Sequence, residues 1–589
     1  MNTRVKENSY KALFFMSAVL SIRAVITIFV FLFLKGLPAF QKIGFFKFVF
    51  GGVWNSNSAD IFAEELVGTY GILTMIVGSI FATVGALIVG GTLGFFTAVF
   101  LAKFCPEKLK KVLSSMINLL AGIPSVIYGF IGMKLILPLL GNFSPNGDGS
   151  GLLATSIILG IMIMPTIVAL SKTALDAVPQ FYYEGARALG ATHDGAVFKV
   201  MVPSAKSGII ASFILGIGRA IGETMAVVMV AGNSATMPNG FFGSFRTLTA
   251  NVVLEMGYAG EVQMSALIAT GVILLIFVVI INVLFNLVKG NGKKASGHAK
   301  FNVFANVSTK LKFSKIGEVM GYICAGFSVV SLITIIGFVL GKGLPFINMQ
   351  FLFSEFEYGG AITIFPSIIA TLMLILLCVI IAIPLGVMTA IYLNEYTKRG
   401  SRMVKLVRSA VEILAGIPSI VYGLFGMIFF CNFLGLGTSI IAGALTVSIM
   451  LLPTIVRATE ESLKAVPDSF REGSLALGAG KLRTVFKVVL PSALPGILSA
   501  VILSIGRVVS ESAPLIYTMG ASLKPLPQNG FMSSGTTLAV ALYKLAGEGL
   551  HVNEAYATAS VLIFIILTLN ALSSMLVKLI QRKQIGDKK

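Results

Sequence analysis

Long apolar stretches recur along the chain, and short polar segments separate them. Many of these stretches reach the roughly 20 residues that an α-helix needs to cross the hydrocarbon core of a bilayer. A helix satisfies its own backbone hydrogen bonds in lipid, so the stretches predict membrane-spanning helices. We expect about 12 spans, near residues 12–34, 70–102, 112–140, 152–170, 203–232, 264–288, 316–340, 362–393, 404–433, 438–456, 491–520 and 555–579.

The order of apolar and polar segments in the first half returns in the second half. AGIPSVIYGFIGM at 121–133 matches AGIPSIVYGLFGM at 415–427, and MPTIV at 164–168 matches LPTIV at 452–456. The copies run in the same direction, which indicates a duplicated architecture. Because each half has an even number of predicted spans, both halves have the same membrane orientation. The predicted parts are a first half at 1–288, a basic cytoplasmic linker at 289–315 and a second half at 316–589.

Composition and charge agree with a membrane protein. Hydrophobic residues make up 56% of the 589 residues, against about 45–50% in soluble domains. The net charge of +20 would suit a nucleic-acid partner, but its distribution argues against one. If the N-terminus is cytoplasmic, most of the 45 Lys and Arg residues fall in cytoplasmic segments, which is the positive-inside pattern. We therefore expect a multi-pass protein of the cytoplasmic (inner) membrane, in contact with lipid, with both termini cytoplasmic and no nucleic-acid partner.

Reactive side chains form no recognisable catalytic or metal-binding set in the sequence. The four cysteines make no CxxC pair, and the three histidines show no metal-ligand spacing. The ionisable residues inside the predicted spans make no nucleophile–base pair. The sequence therefore predicts no enzyme, no catalytic residue and no metal site.

A polar island occurs once in each half, at 178–209 and 466–497. Both copies contain Glu-Gly and a small residue, then a glycine after three residues, then an apolar-x-apolar-Pro ending after nine more. Each island falls on the predicted cytoplasmic side, where a short helix suits docking to a soluble partner. That helix is expected to have a proline in its first turn, Pro179 or Pro467, and to end at a left-handed glycine, Gly190 or Gly478.

The islands resemble the EAA loop of ABC-importer permeases, in which E-A-A, three residues, G and nine residues precede I-x-L-P. The second position is Gly in both copies here. The resemblance implies a type I, MetI-like importer fold, all-α and polytopic, whose loops each dock on an ATPase subunit and transmit its motion. The chain has no P-loop sequence, so we expect ATP to be bound by partner subunits and no cofactor in this chain. The residues implied in coupling are Glu184, Gly185, Ala186 and Gly190 in the first copy, and Glu472, Gly473, Ser474 and Gly478 in the second.

Charged residues lie deep in the predicted fifth span of each half. Arg219 and Glu223 are four residues apart, as are Arg507 and Glu511, so each pair is expected on one helical face. An ionised side chain at the centre of a membrane helix costs about 2.5–3.5 kcal/mol on insertion scales, so such residues normally face a water-filled path. About 24 Å of helix separates Pro203 from Arg219, which puts the charge near or somewhat beyond mid-membrane.

Two guanidinium groups, one from each half, suit a tetrahedral oxyanion. A carboxylate acceptor beside them favours phosphate, which carries a proton to donate, over sulfate, which carries none at neutral pH. The alternative is an Arg–Glu pair that only braces its helix. The repeated AGIPS segment adds Ser125 and Ser419 as candidate hydroxyl donors beside prolines that free backbone groups, although a tight helix crossing explains these small residues equally well.

The whole chain, through AGIPS, GR-x3-E and the EAA loops, resembles the two permeases of the phosphate-specific transport (Pst) ABC system joined in tandem. The first half is similar to the PstC type and the second to the PstA type, although the family usually has two separate chains. The resemblance implies import of inorganic phosphate by alternating access, with two PstB-like ATPase copies and an extracytoplasmic PstS-like binding protein as partners. An ABC permease for sulfate, molybdate or phosphonate is the alternative within this class, and a secondary anion transporter or channel is the alternative outside it.

The charge distribution makes the topology testable. In a background without the native cysteines, an impermeant maleimide added from outside is expected to label Ser144→Cys, because its loop contains no Lys or Arg. Ser296→Cys in the basic linker is expected to react only after permeabilisation. The reverse labelling would overturn the predicted orientation.

Overall fold

The structure is a computed structural model that describes residues 3–55, 69–145, 147–294, 311–357, 359–398 and 401–586. Within these ranges the strands are one short antiparallel pair, Trp54–Asn55 with Thr69–Tyr70, and the other regular elements are helices. The predicted all-α class is therefore confirmed.

The predicted spans correspond to helices. Nine helices of the described chain are long and apolar enough to cross a membrane, and three further pairs of helices qualify when each bent pair is taken together. Counting each bent pair as one span brings the described helical segments to 12, the number expected from the apolar stretches.

The third span of each half is not the single straight helix that the apolar stretches 112–140 and 404–433 predicted. Helix Glu107–Gly122 meets the following helical segment at 91°, and helix Arg402–Gly416 meets its successor at 99°. Proline causes both bends, because it has no N–H to donate within a helix and forces the residue before it out of the helical region. Accordingly Ile123 is extended, with ψ at 131°, and Pro124 caps the next helix.

The chain divides into two compact units. The first helix of each sequence half lies in the unit that the other half mainly forms. One unit comprises Met1–Leu37 with Gly343–Lys589, and the other comprises Pro38–Lys342. Most of the N-terminal helix Thr3–Ile43 therefore belongs with the second repeat, whereas the helix that opens the second repeat, Leu311–Gly343, belongs with the first. The boundaries of the repeats at 1–288 and 316–589 remain predictions about sequence. The linker 289–315 lies largely outside the described residues.

Side-chain contacts within each unit show this assignment directly. Ser21 Oγ lies 3.4 Å from Thr389 Oγ1 in the unit that contains the second repeat. In the other unit, Thr97 Oγ1 lies 3.3 Å from Ser328 Oγ. Each first helix is thus held by polar as well as apolar contacts to the unit in which it lies.

The unit Pro38–Lys342 is built around the buried helix Leu152–Asp176, which packs against the second and fifth spans. Gly90 and Gly160 allow one of these contacts, because a Cβ atom at Gly90 would come within 2.2 Å of the Gly160 carbonyl oxygen. The α-helices of this unit are Phe45–Phe50, Leu73–Ala86, Thr92–Val99, Glu107–Gly122, Ser125–Ile131, Leu137–Gly141, Leu152–Asp176, Gln180–Ala188, His193–Ala196, Val202–Ser204, Lys206–Gly222, Met225–Val230, Leu248–Glu255, Glu261–Lys294 and Leu311–Gly343.

The unit that contains the second repeat is built in the same order around helix Ile440–Lys464. Its α-helices, besides the N-terminal one, are Met349–Phe353, Phe365–Ile391, Arg402–Gly416, Ser419–Gly426, Ile440–Lys464, Asp468–Ala476, Lys481–Thr484, Leu490–Ser510, Ala513–Thr518, Leu538–Glu548 and Val552–Gly586.

Turns of π-helix recur at matching places in the two units. They extend the second span at Phe100–Phe104 and Tyr392–Tyr396, and they precede the fifth span at Val197–Met201 and Val485–Val489. Such turns are often found at functional sites. Here the turns Val197–Met201 and Val485–Val489 lie within the two polar islands.

Side-chain exposure refines the labelling experiment. The Ser144 hydroxyl is buried and has no hydrogen-bond partner among the described residues, whereas Phe143 in the same loop is 76% exposed. Phe143→Cys is therefore the better position for a reagent added from outside. Ser296 lies outside the described residues.

The placement of the N-terminal helix generates a cross-linking prediction. In a cysteine-free background, Ser21→Cys with Thr389→Cys is expected to form a disulfide under mild oxidation, because the two hydroxyl oxygens are 3.4 Å apart. After proteolytic cleavage in the linker 289–315, the two fragments should stay together on a non-reducing gel. Met16→Cys with Thr389→Cys is the control, since Met16 is 67% exposed and should not cross-link. Equal cross-linking of both pairs would contradict this placement.

Candidate functional site

Arg219 lies three residues before the end of helix Lys206–Gly222 in the unit Pro38–Lys342. Its Nη1 atom donates a hydrogen bond of 2.9 Å to Thr166 Oγ1 on the neighbouring helix Leu152–Asp176. The guanidinium is thus held from the side by a neutral hydroxyl, which leaves its positive charge uncompensated by that contact.

Glu223 does not continue the helical face that its four-residue spacing from Arg219 predicted. The helix ends at Gly222, and Glu223 is extended, with φ at −72° and ψ at 136°. Its Oε1 atom instead lies 3.5 Å from the backbone nitrogen of Ala226, near the start of the next helix. Its carbonyl accepts a 2.8 Å hydrogen bond from Thr249 Oγ1. For the pair Arg219 and Glu223 the expectation of a shared helical face is therefore wrong, because the chain leaves the helix at Glu223.

The second repeat has the same break but a different side-chain arrangement. Helix Leu490–Ser510 ends just before Glu511, which is extended. Arg507 Nη1 lies 3.3 Å from Thr454 Oγ1, and Arg507 Nε lies 3.5 Å from Glu511 Oε1. The Arg507 side chain is 43% exposed, so the long ion pair contributes little to stability.

The threonine that holds each arginine is the residue that sequence reasoning did not assign. Each Thr precedes its Arg by 53 residues. The available signal was the repetition of MPTIV and LPTIV, since Thr166 and Thr454 follow the proline of that motif. A repeated hydroxyl inside an apolar stretch identifies a polar contact but not its partner, which comes from another span.

A tyrosine hydroxyl closes each of the AGIPS bends. The buried hydroxyl of Tyr128 donates to the Leu120 carbonyl at 2.7 Å and so closes the bend, and Tyr422 does the same with Leu414.

The two candidate serines stand beside these bends. Ser125 and Ser419 are half-buried and open the helices Ser125–Ile131 and Ser419–Gly426. No contact places either hydroxyl on an arginine in the described part of the chain.

The polar islands fold as expected into short helices that end in left-handed glycines. The helices are Gln180–Ala188 and Asp468–Ala476, and the following Gly190 and Gly478 have φ values of +86° and +79°. The prolines cap these helices rather than lying within the first turn.

Much of each island helix is exposed. Glu184 and Glu472 are exposed, and a Cβ atom added to Gly185 or Gly473 would meet no atom within 4 Å. Several large apolar side chains are also exposed in the two islands: Phe181 at 64%, Leu189 at 79% and Leu477 at 90%. Clustered exposed apolar groups of this kind mark an interaction surface.

Comparison with known proteins assigns the class. The chain belongs to the family described as binding-protein-dependent transport system inner membrane component, which it matches twice, at residues 90–290 and 382–586. Both matches include a polar island and the arginine that follows it. The chain is therefore a membrane permease that contains two copies of this domain.

Individual relatives agree with a tandem arrangement. The chain is 38% identical over 263 residues to the probable ABC transporter permease protein YqgH of Bacillus subtilis, covering 44% of this chain and 83% of that protein. It is 32% identical over 285 residues to the phosphate transport system permease protein PstC of Haemophilus influenzae, covering 45% and 90%. It is 30% identical over 518 residues to the phosphate transport system permease protein PstA homolog of Mycoplasma genitalium, covering 77% and 78%.

The left-handed glycines generate a prediction about coupling. Gly190→Pro with Gly478→Pro is expected to disrupt both helix ends, because proline fixes φ near −65° where these glycines adopt +86° and +79°. We expect the chain to insert normally while the stimulation of ATPase activity by loaded binding protein is lost.

The matched control is Gly435→Pro, another left-handed glycine, with φ at +68°, which lies outside the islands. It should retain stimulation. Unchanged stimulation in the double variant would remove the docking role of the islands.

Proposed function

We propose that this chain is the permease of an ATP-driven importer that moves inorganic phosphate into the cytoplasm by alternating access. The observation that carries the proposal is an arginine in the fifth span of each repeat, held by a threonine from the fourth span and placed beside a break in its own helix. The names of the PstA and PstC relatives point to the same substrate.

The chemistry of the two arginines suits phosphate. A guanidinium offers several N–H donors in a planar fork that matches the oxygens of a phosphate. In the second repeat a carboxylate, Glu511, stands beside the fork and can accept the proton that hydrogen phosphate carries. A sulfate ion would leave that acceptor without a donor, so the site disfavours it. In the first repeat Glu223 lies at the same break, where it can serve the same purpose if the chain moves there.

The islands are the proposed sites at which ATP hydrolysis by partner subunits is coupled to transport. We assign Glu184, Gly185, Ala186 and Gly190, with their counterparts Glu472, Gly473, Ser474 and Gly478, to docking of two PstB-like ATPase subunits. Both loops are exposed and carry apolar side chains suited to such docking. ATP hydrolysis belongs to those subunits, and a PstS-like binding protein delivers phosphate on the opposite side of the membrane.

The orientation follows from charge. The Lys- and Arg-rich segments, including the linker and both termini, are assigned to the cytoplasm of a cell whose inner membrane holds the chain. Both islands then face the cytoplasm, where ATP is available.

The proposed anion site is tested by arginine substitutions. Arg219→Lys and Arg507→Lys keep the charge but lose the planar fork, so each should reduce uptake of labelled phosphate clearly. Arg219→Gln and Arg507→Gln should nearly abolish uptake, because glutamine lacks both the positive charge and the planar fork of donors. Excess sulfate, molybdate or phosphonate should not compete with phosphate in the parent protein.

A charge swap separates binding from bracing. Arg507→Glu with Glu511→Arg preserves the ion pair of the second repeat but moves the guanidinium out of the helix, so uptake should stay low. Arg402→Gln, an exposed arginine at the first residue of helix Arg402–Gly416, is the matched control and should transport normally. Uptake near the parent rate in the swap variant would mean that the arginine only braces the helix.

A further inference from the structure

The island helix of the second repeat is fastened to the end of the second span by Arg471. The guanidinium Nη2 and Nε atoms lie 2.9 Å and 3.2 Å from Glu395 Oε1. Glu395 belongs to the π-turn Tyr392–Tyr396, which ends that span. The two side chains are only 15% and 7% exposed, so this is a largely desolvated ion pair with charge-assisted hydrogen bonds.

The remaining donors of Arg471 fasten the same helix to the end of the fourth span. Nη2 donates to the Leu463 carbonyl at 2.8 Å, and Nη1 donates to the Val466 carbonyl at 2.7 Å. One guanidinium therefore joins the island helix to the ends of both the second and the fourth span. Lys481, just beyond the island helix, adds a cation–π contact 5.2 Å from the Tyr396 ring centroid.

The first repeat fastens its island helix at the same positions with different chemistry. Tyr183 and His193 occupy the positions of Arg471 and Lys481 in the ungapped match of the islands, and Lys103 is the fourth residue of its π-turn, as Glu395 is. The Tyr183 hydroxyl lies 2.8 Å from His193 Nδ1, and His193 Nε2 lies 3.1 Å from the Lys103 carbonyl oxygen.

The bonding pattern fixes the histidine tautomer. A carbonyl oxygen only accepts, so Nε2 of the neutral ring carries the proton and donates to Lys103, while Nδ1 accepts from Tyr183. The ring also packs edge-on against Phe104, with centroids 4.9 Å apart. The first island is thus fastened through a tyrosine and a histidine to a backbone carbonyl, where the second uses an ion pair.

Two unlike sets of side chains at matching positions make the same connection. A buried ion pair often adds little net stability over apolar residues of similar volume, so stability alone does not explain why both repeats fasten this point. The connection ends on the second span, which packs along the helix Leu152–Asp176 in one unit and Ile440–Lys464 in the other.

We propose that Arg471 with Glu395, and Tyr183 with His193, are positioning residues that transmit the movement of each island helix to the second span of its repeat. The inference rests on the proposed function, in which partner ATPases move the island helices. It assigns to the second span, rather than only to the spans that flank each island in sequence, a direct part in opening the transport path.

The test uses the full chain with its ATPase subunits and binding protein in proteoliposomes. Arg471→Met with Glu395→Met removes the ion pair without leaving a buried charge. We expect normal insertion, normal co-purification of the ATPase and near-parent ATP hydrolysis, with the phosphate transported per ATP reduced about tenfold or more, equal to about 1.4 kcal/mol of lost coupling. Arg402→Met, an exposed arginine outside the islands, should match the parent.

A second test transfers the side chains of the second repeat to the first repeat and measures whether the transport-to-hydrolysis ratio recovers. Tyr183→Arg alone places a second cation near Lys103 and should lower the transport-to-hydrolysis ratio. Adding Lys103→Glu and His193→Lys installs the side chains of the second repeat in the first, and should recover most of that ratio. The proposal would be overturned if Arg471→Met with Glu395→Met kept the parent ratio of phosphate transported to ATP hydrolysed. It would also be overturned if that variant lost inserted protein, ATP hydrolysis and transport to the same extent.

A readout without substrate separates this proposal from the choice of anion. Val387→Cys on the second span is partly buried, and ATP should change its maleimide labelling rate in the parent background. Arg471→Met with Glu395→Met should abolish that change in labelling rate even if the transported anion is not phosphate. A change of the same size in both backgrounds would contradict transmission through this contact.

Discussion

A backbone in hydrocarbon must satisfy its own hydrogen bonds, which favours unbroken helices. The architecture of this chain depends on the few places where its helices are interrupted. The breaks occur at the same places in both repeats: before Pro124 and Pro418 in the third spans, and at Glu223 and Glu511 after the fifth. Each arginine stands beside such a break. Polar backbone and charged side chains therefore share the same small regions, so one hydrated region can serve both.

Duplication preserved the backbone more strictly than the side chains. The threonine contact to the arginine recurs in both repeats. The nearby carboxylates differ, because Glu511 lies beside Arg507 whereas the Glu223 carboxylate lies near the backbone nitrogen of Ala226 in the next helix. The contacts that fasten the islands differ further, with an ion pair in one and a tyrosine–histidine hydrogen bond in the other. The repeated fold therefore carries unlike side-chain contacts at matching positions of the two halves.

Sequence reasoning identified what periodicity and spacing encode. Apolar length located the spans, and glycine placement located the left-handed ends of the islands, since both depend on nearby residues. It missed the sharp bends, because a proline in an apolar run is compatible with a mild kink or a right-angle turn until the packing is known. It also missed Thr166 and Thr454, whose partners lie 53 residues away, because no local pattern encodes a contact between distant spans.

The placement of the N-terminal helix has a consequence for synthesis. Its unit is otherwise assembled from residues after Lys342, so this helix enters the membrane long before its neighbours exist. At about 5–20 residues per second, the interval lasts roughly 15–60 seconds. During that time its polar residues Ser17 and Ser21 face lipid or a chaperone instead of Met388 and Thr389. The helix that opens the second repeat meets no such delay, because the unit it joins is already complete when it emerges.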